Sequence, residues 1–168
     1  MTKLKLSDIN QMDRDAFVRS LGGIYEHSPW VAEGSWNARP FVSIAALHEA
    51  MTEVVRSSPE ETIVTLLRAH PDLGTRLAVT DYSASEQSGA ELNRLTPVEY
   101  EKLSSLNKRY VEKFGFPFIL AVRGKNKEEI VAAMEARVLN GAEEEREEAL
   151  AQIGRITRFR LEDSVEED

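Results

Sequence analysis

The sequence predicts an all-α protein, a single compact bundle of about seven to eight helices. Helix start signals recur along the chain, and apolar residues between them are spaced by three and four. Strand signals are poor. The one β-like run, residues 116–122, is too short and isolated to build a sheet, so we expect a buried extended segment between two helices.

The start signals combine a capping side chain with a glutamate three residues later. Segments 58–61 and 96–99 read Ser-Pro-Glu-Glu and Thr-Pro-Val-Glu, and proline at the first helical position lacks only an N–H that would have no partner there. Segments 126–129 and 83–86 predict two further starts.

Helix faces and ends follow from the apolar spacing. A first helix is predicted from Asp13 to Leu21, Gly115 is expected to close the helix that begins after Thr96, and Asn140 with Gly141 is expected to end the next. The predicted core stripes are Ile44, Leu47, Met51 and Val54 or Val55; Tyr100, Leu103, Leu106, Tyr110 and Phe114; Ile130, Ala133, Met134 and Leu139; and Leu150, Ile153, Ile156 and Leu161.

The length of 168 residues predicts one domain. We assign residues 1–161 to a helical domain and 162–168, with five acids in seven residues, to an acidic tail that we expect to fray. The formal net charge of −8 argues against nucleic acid and anionic lipid as partners. The absence of cysteine excludes disulfides, thiol nucleophiles and cysteine-bound zinc.

No apolar run approaches the ~20 residues of a membrane span, and the N-terminal residues turn polar within a few positions, unlike a signal peptide. We therefore expect a cytoplasmic protein that does not contact a membrane. The three histidines lack metal-ligand spacing, and no glycine-rich phosphate loop is present, so no metal is expected.

Two side chains are candidates for chemistry. His70 lies on the apolar side of its helix and is predicted to be the last helical residue, because Pro71 disfavours the α conformation before it; a packed histidine and a proton-transfer residue are both open. Arg160 falls in the middle of the last apolar stripe. A buried arginine needs a partner, so it is an anion-binding group at a pocket wall, the partner of a structural carboxylate, or a side chain that extends past the helix end to solvent.

Acidic residues outside these positions have simpler interpretations. Glu86 is by default the N3 residue of a capping box with Ser83. Residues 143–145 and 147–148 are glutamates, and we interpret both runs as a solvated helix face.

Three motifs together resemble the OHCU decarboxylase family, where OHCU is 2-oxo-4-hydroxy-4-carboxy-5-ureidoimidazoline, a late intermediate of urate degradation. The resemblance spans about residues 6–162, and one departure is Glu91, where the family usually has glycine. The motifs are His70-Pro71-Asp72-Leu73-Gly74, Ser83-x-x-Glu86-Gln87, and Phe114-Gly115-Phe116-Pro117-Phe118-Ile119-x-Ala121-Val122-Arg123-Gly124.

The resemblance implies an all-helical homodimeric enzyme, without metal or organic cofactor, that converts OHCU to (S)-allantoin and CO₂. By motif position, His70 matches the catalytic histidine and Glu86 its partner carboxylate. The residues that match substrate-binding positions are Pro71, Ser83, Gln87, Phe118, Ile119, Leu120, Ala121, Val122 and Arg160.

This assignment suggests a mechanism. Glu86 would orient the substrate hydroxyl or share its proton, and His70 would protonate the carbanion left by CO₂ loss, which sets the (S) configuration. Arg160 and the 118–122 backbone would bind ring oxygens or ureido groups. Two alternatives stay open: a helical interaction module without activity, and a different cofactor-free enzyme acting on a ureido-ring compound.

Overall fold

The computed structural model describes residues 2–70 and 96–168. Within those ranges it contains eight α-helices, a 3₁₀ helix at Trp36–Ala38 and two two-residue strands, which confirms the all-α fold class. The strands are β1 (Leu4–Lys5) and β2 (Val165–Glu166). The helices are α1 (Leu6–Gln11), α2 (Arg14–Leu21), α3 (Trp30–Ser35), α4 (Ile44–Arg56), α5 (Glu60–Ala69), α6 (Pro97–Phe114), α7 (Lys127–Arg137) and α8 (Ala142–Ser164).

Two of the predicted capping boxes are confirmed. At α6 the Thr96 hydroxyl accepts from the Glu99 N–H at 3.2 Å, and the Glu99 carboxylate accepts from the Thr96 N–H at 2.9 Å. Asn126 and Glu129 form the same reciprocal pair at α7, at 2.8 and 3.2 Å. Each pair satisfies two backbone donors that a helix start otherwise leaves without partners.

The predicted start at Ser58 is wrong by one residue. Helix α5 begins at Glu60, and the Pro59 carbonyl accepts from the Ile63 N–H at 3.1 Å, so Pro59 is the capping residue. The Ser58 hydroxyl donates to the Val54 carbonyl at 2.8 Å and completes the end of α4 instead.

Helix ends follow the prediction at one position and differ at another. Gly115 closes α6 with φ = 78°, a left-handed conformation that glycine adopts without steric cost. Helix α7 ends at Arg137, earlier than Asn140 and Gly141 would place its end. Leu139 lies beyond it and is 77% exposed, so its place in the core stripe was wrong.

Short elements near the N-terminus were not predicted. Helix α1 precedes the expected first helix, and its capping residue Lys5 makes no side-chain capping bond, so it carries no start signal. Helix α3 begins directly after Pro29 and is only six residues long. The helix predicted from Asp13 to Leu21 is α2, which begins one residue later because Asp13 caps it by accepting from the Ala16 N–H.

The chain divides into two compact units. Unit 1 comprises Met1–Ala69 and Gly154–Asp168, and unit 2 comprises His70–Ile153. The assignment of residues 1–161 to a single domain stays a prediction.

In unit 1, α3 packs against α2 and α4 around the fully buried Phe17, Leu47 and Met51. Gly34 permits the approach of α3 to α4, because a Cβ at this position would lie 2.9 Å from a Val54 methyl. That distance is shorter than real Cβ contacts allow.

The acidic tail of unit 1 is ordered rather than frayed, which corrects our expectation. Helix α8 continues to Ser164, and β2 pairs in parallel with β1. The Glu167 carboxylate accepts from the Ile44 N–H at 2.8 Å, at the start of α4. The Asp168 carboxylate accepts from the Ser7 N–H at 3.0 Å, in the first turn of α1, and also from the Ser7 hydroxyl. Two helix N-termini are therefore capped by the last two residues.

In unit 2, α6 packs against α7, and an aromatic cluster lies beside them. Tyr110 is fully buried, with its ring centroid 4.7 Å from that of Phe114 and 5.2 Å from that of Phe118. The cluster leads into residues 116–122, which have neither helical nor strand assignment and are buried apart from the half-buried Pro117. The predicted burial of this segment between two helices is confirmed, and its extended conformation stays a prediction.

Candidate active site

His70 follows the last residue of α5 and is half-buried. The predicted position at a helix C-terminus is therefore right to within one residue, since the helix ends at Ala69. The carbonyls at such an end carry a partial negative charge, which favours a protonated imidazole.

The segment Phe118, Ile119, Leu120, Ala121 and Val122 is held by two side chains of unit 2. The Arg137 guanidinium donates through Nη1 to the Ile119 carbonyl at 2.6 Å. Two residues on, the Ala121 N–H donates to Gln152 Oε1 at 3.1 Å. In the extended backbone that the sequence predicts here, alternate residues present their polar groups at the same edge, which would place both bonds on one edge.

Arg137 is itself fixed by a buried carboxylate. Its Nε donates to Glu145 Oε1 at 2.7 Å, and Tyr110 donates its hydroxyl to the same oxygen at 2.6 Å. The other oxygen, Oε2, accepts from Asn140 at 3.0 Å. Burial raises the pKa of Tyr110 above its ordinary value, and the Glu145 bond raises it further, so the hydroxyl stays a donor.

Glu145 corrects the interpretation of the acidic runs as a solvated face, because its exposed fraction is 0%. Sequence reasoning missed both Glu145 and Arg137. A signal was present for Glu145: it lies four residues before Ala149 and eight before Ile153, so it extends the buried stripe of α8 toward its N-terminus. Arg137 had a comparable signal, since it lies seven residues after Ile130 and three after Met134 on the buried face of α7.

Arg160 is the largest fully buried side chain among the residues the structure describes. Its Nη1 donates to the Ile24 carbonyl at 2.9 Å, and its Nη2 to Glu26 Oε1 at 3.0 Å. The predicted inward orientation is confirmed. The partner is the carboxylate of Glu26, which the sequence had not singled out. Neighbouring His27 has φ = 54°, an uncommon value outside glycine.

His48 lies on α4 and is half-buried. Its Nε2 lies 3.1 Å from Thr157 Oγ1. Burial lowers the pKa of His48, and the nearby Arg158 lowers it further.

Four of the predicted site residues, Pro71, Ser83, Glu86 and Gln87, lie outside the described residues, as do Glu91 and the helix start predicted at 83–86. Across residues 2–70 and 96–168, no group of three or more His, Asp or Glu side chains is placed to hold a metal ion. Nor does any helix in those ranges have the length and apolar character to cross a membrane.

Comparison with known proteins decides the family. The model of the family described as OHCU decarboxylase matches residues 10–162. This chain belongs to the OHCU decarboxylase family. The resemblance found in its motifs is thereby confirmed.

Similar relatives carry the same designation. The 2-oxo-4-hydroxy-4-carboxy-5-ureidoimidazoline decarboxylase of Halalkalicoccus jeotgali is 44% identical, and the match covers 97% of this chain and 93% of that protein. The decarboxylase of Haloferax volcanii is 46% identical, with 96% of each chain covered. The uric acid degradation bifunctional protein of Bacillus subtilis is 46% identical over 96% of this chain, which spans only 33% of that longer protein.

Solved structures agree with this family. A crystal structure of (S)-allantoin synthase has a TM-score of 0.79 and 34% identity, and the match covers 97% of this chain and 54% of that one. A crystal structure of OHCU decarboxylase, 22% identical with a TM-score of 0.68 over 90% of this chain and 97% of that one, supports the fold. The relatives that match nearly the whole chain are named as decarboxylases. The expectation that this chain is a carboxy-lyase is thereby confirmed.

Proposed function

We propose that this chain converts OHCU to (S)-allantoin and CO₂ in urate degradation. The observation that carries the proposal is the OHCU decarboxylase family match over residues 10–162, because the His70 motif, the Glu86 motif and the 118–122 segment all fall within it. Relatives named for the same reaction cover nearly the whole chain.

The reaction requires one bond cleavage and one proton. The bond to the substrate carboxylate breaks, CO₂ leaves, and the electron pair stays on the ring carbon, where the neighbouring carbonyl delocalises it as an enolate. His70 then delivers its proton to one face of that carbon. Glu86 orients the substrate hydroxyl or shares its proton. These roles rest on motif position and on the place of His70 at the end of α5.

The 118–122 backbone supplies groups that suit a cyclic urea. Ile119 and Ala121 turn their bonded groups to the edge held by Arg137 and Gln152, so the N–H and C=O of Leu120 face the opposite edge. Neither group bonds to any residue within the described ranges, although Leu120 is 7% exposed. A neighbouring donor and acceptor complement the –CO–NH– edge of the substrate ring.

Arg160 enters the proposal as a buried cation. Glu26 and the Ile24 carbonyl fix its orientation, and a fixed guanidinium stabilises developing negative charge without reorganisation. The remaining substrate-binding residues, Pro71, Ser83 and Gln87, are proposed on motif position alone.

The active form is proposed to be a homodimer in the cytoplasm, acting without metal or organic cofactor. These three expectations rest on the sequence and its family resemblance.

The rate of OHCU consumption tests the proposal. Freshly generated OHCU decays unaided, and we expect purified protein to accelerate its loss in proportion to protein concentration. A His70→Asn variant should return the rate to about the unaided value, because general acid catalysis contributes roughly 10²–10⁴-fold. His27→Asn is the matched control, since His27 has a 67% exposed side chain. Decay that wild-type protein leaves unchanged would overturn the proposed function.

A further inference from the structure

Arg137 pairs with the Glu145 carboxylate and also donates to the protein backbone at the Ile119 carbonyl. Glu145 lies against the guanidinium with an exposed fraction of 0%, and the ion pair neutralises both charges. Arg137 Cζ lies 4.4 Å from the centroid of the Phe118 ring, and Nη1 reaches the Ile119 carbonyl. The side chain therefore contacts the 118–122 segment through its ring and its backbone together.

Gln152 provides the second fixed point on the same edge. Its Oε1 accepts from the Ala121 N–H, while its Nε2 donates to Glu148 at 2.8 Å. The Glu148 bond sets the amide orientation, so that the oxygen faces Ala121. Two fixed points, two residues apart, determine both the position and the rotation of the residue between them.

We propose that Arg137 and Gln152 are positioning residues that hold the Leu120 N–H and C=O against the substrate ring, with Glu145 and Tyr110 fixing Arg137. This inference rests on the proposed function and adds residues to it that carry no motif resemblance. A donor–acceptor pair displaced by about 1 Å can lower the rate by about a hundredfold, and a loosely held ring exposes both faces to protonation.

We call the Arg137 and Gln152 bonds to the segment the clamp, and the main test removes its Arg137 half without leaving a buried charge. Because a single change at Arg137 would strand the Glu145 carboxylate, the variant is Arg137→Met with Glu145→Gln, in which the introduced amide oxygen still accepts from Tyr110. The matched control is Lys102→Met with Glu135→Gln, a half-exposed ion pair between α6 and α7 at 3.1 Å. We expect the clamp variant to lose about tenfold or more in kcat/KM and to yield allantoin of reduced optical purity, and the control to match wild-type protein.

A second set of variants tests Gln152 and includes a rescue. Gln152→Leu removes the acceptor for Ala121 and should reproduce the loss of rate and optical purity. The double variant Glu148→Gln with Gln152→Glu swaps the two side chains but keeps an acceptor for the Ala121 N–H at position 152. Its activity should therefore be close to that of wild-type protein and well above that of Gln152→Leu. Unfolding temperatures are measured in parallel. If Gln152 only stabilised the fold, activity would fall with the unfolding temperature, whether or not an acceptor is present at position 152.

Amide hydrogen exchange supplies a readout independent of activity. Loss of the clamp should accelerate exchange at Ala121, whose N–H bonds to Gln152, by about tenfold or more, while the most protected amides of α6 stay unchanged. If wild-type protein has no activity on OHCU, the proposed function fails and the exchange rates alone decide whether the clamp exists. Wild-type exchange in the clamp and Gln152→Leu variants, or no rescue by the swapped pair, would overturn the inference.

Discussion

The guanidinium of Arg160 donates to the carboxylate of Glu26 at 3.0 Å, and both side chains have an exposed fraction of 0%. This pair joins the loop before α3 to the last turns of α8 within unit 1. The sequence left open which group partners the inward Arg160, and a structural carboxylate was one of the interpretations. Glu26 is such a carboxylate. The pair also fixes the direction in which the proposed substrate-binding cation points.

Removal of one partner should be far more damaging than removal of both. We expect Glu26→Ala to lower the free energy of unfolding by about 3–5 kcal/mol, because it removes the buried carboxylate to which the buried guanidinium donates. Glu26→Gln with Arg160→Met should cost much less, since no charge remains. Urea denaturation of the three proteins measures the difference, and equal losses in both variants would contradict this account.

The ordered C-terminus predicts a measurable contribution to stability. Val165 is 1% exposed, and deletion of residues 165–168 removes its burial, the β1–β2 pairing and the caps on Ile44 and Ser7. We expect a loss of at least about 2 kcal/mol, the value for burying one valine side chain.

A point substitution provides the control for this deletion. Glu166 is exposed, and its substitution by glutamine should leave stability unchanged. A truncated chain that melts at the wild-type temperature would show that the tail is not held as described.

Close contact between α3 and α4 makes Gly34 sensitive to a single methyl group. Gly34→Ala should destabilise the protein by about 1–3 kcal/mol, because the added Cβ meets a Val54 methyl at 2.9 Å. Adding Val54→Ala should recover part of that loss.

Gly154 is the matched control, since a Cβ there meets nothing within 4 Å. In the interior of α8, Gly154→Ala should stabilise by up to about 1 kcal/mol through helix propensity. Thermal unfolding distinguishes the two, and equal shifts for both alanines would exclude the close approach.

The half-buried imidazole of His48 should make the stability of the protein depend on pH. Burial and Arg158 place its folded pKa below the ordinary value of 6.5, although Glu162 and a bond involving Gly154 act in the opposite direction. The unfolded chain therefore binds more protons as the pH falls. The contribution of His48 is fully present above about pH 6.5 and is lost as the pH falls toward the lowered pKa.

A glutamine at this position does not titrate. The fall in stability between about pH 7.5 and about pH 5 should therefore be shallower in His48→Gln than in wild-type protein. Parallel pH profiles for the two proteins would refute the burial of this imidazole as a source of pH dependence.

Local signals in the sequence predicted the helix starts at Thr96 and Asn126, the glycine end at Gly115 and the buried 116–122 segment, because each depends on neighbouring residues only. Pairing of Arg160 with Glu26 depends on a partner 134 residues away in the chain, and the bond of Tyr110 to Glu145 joins residues 35 apart. Short elements such as α1 carry no capping signal. Leu139 shows that apolar spacing continues past the point where a helix ends.

The chirality of the product reports on the proposed protonation by His70. OHCU that decays unaided yields racemic allantoin, whereas protonation of one face by His70 yields a single enantiomer. Circular dichroism of the allantoin formed from fresh OHCU by wild-type protein should show the (S) enantiomer in large excess, and His70→Asn should abolish that excess. Racemic allantoin formed at the unaided rate in the presence of wild-type protein would contradict the account.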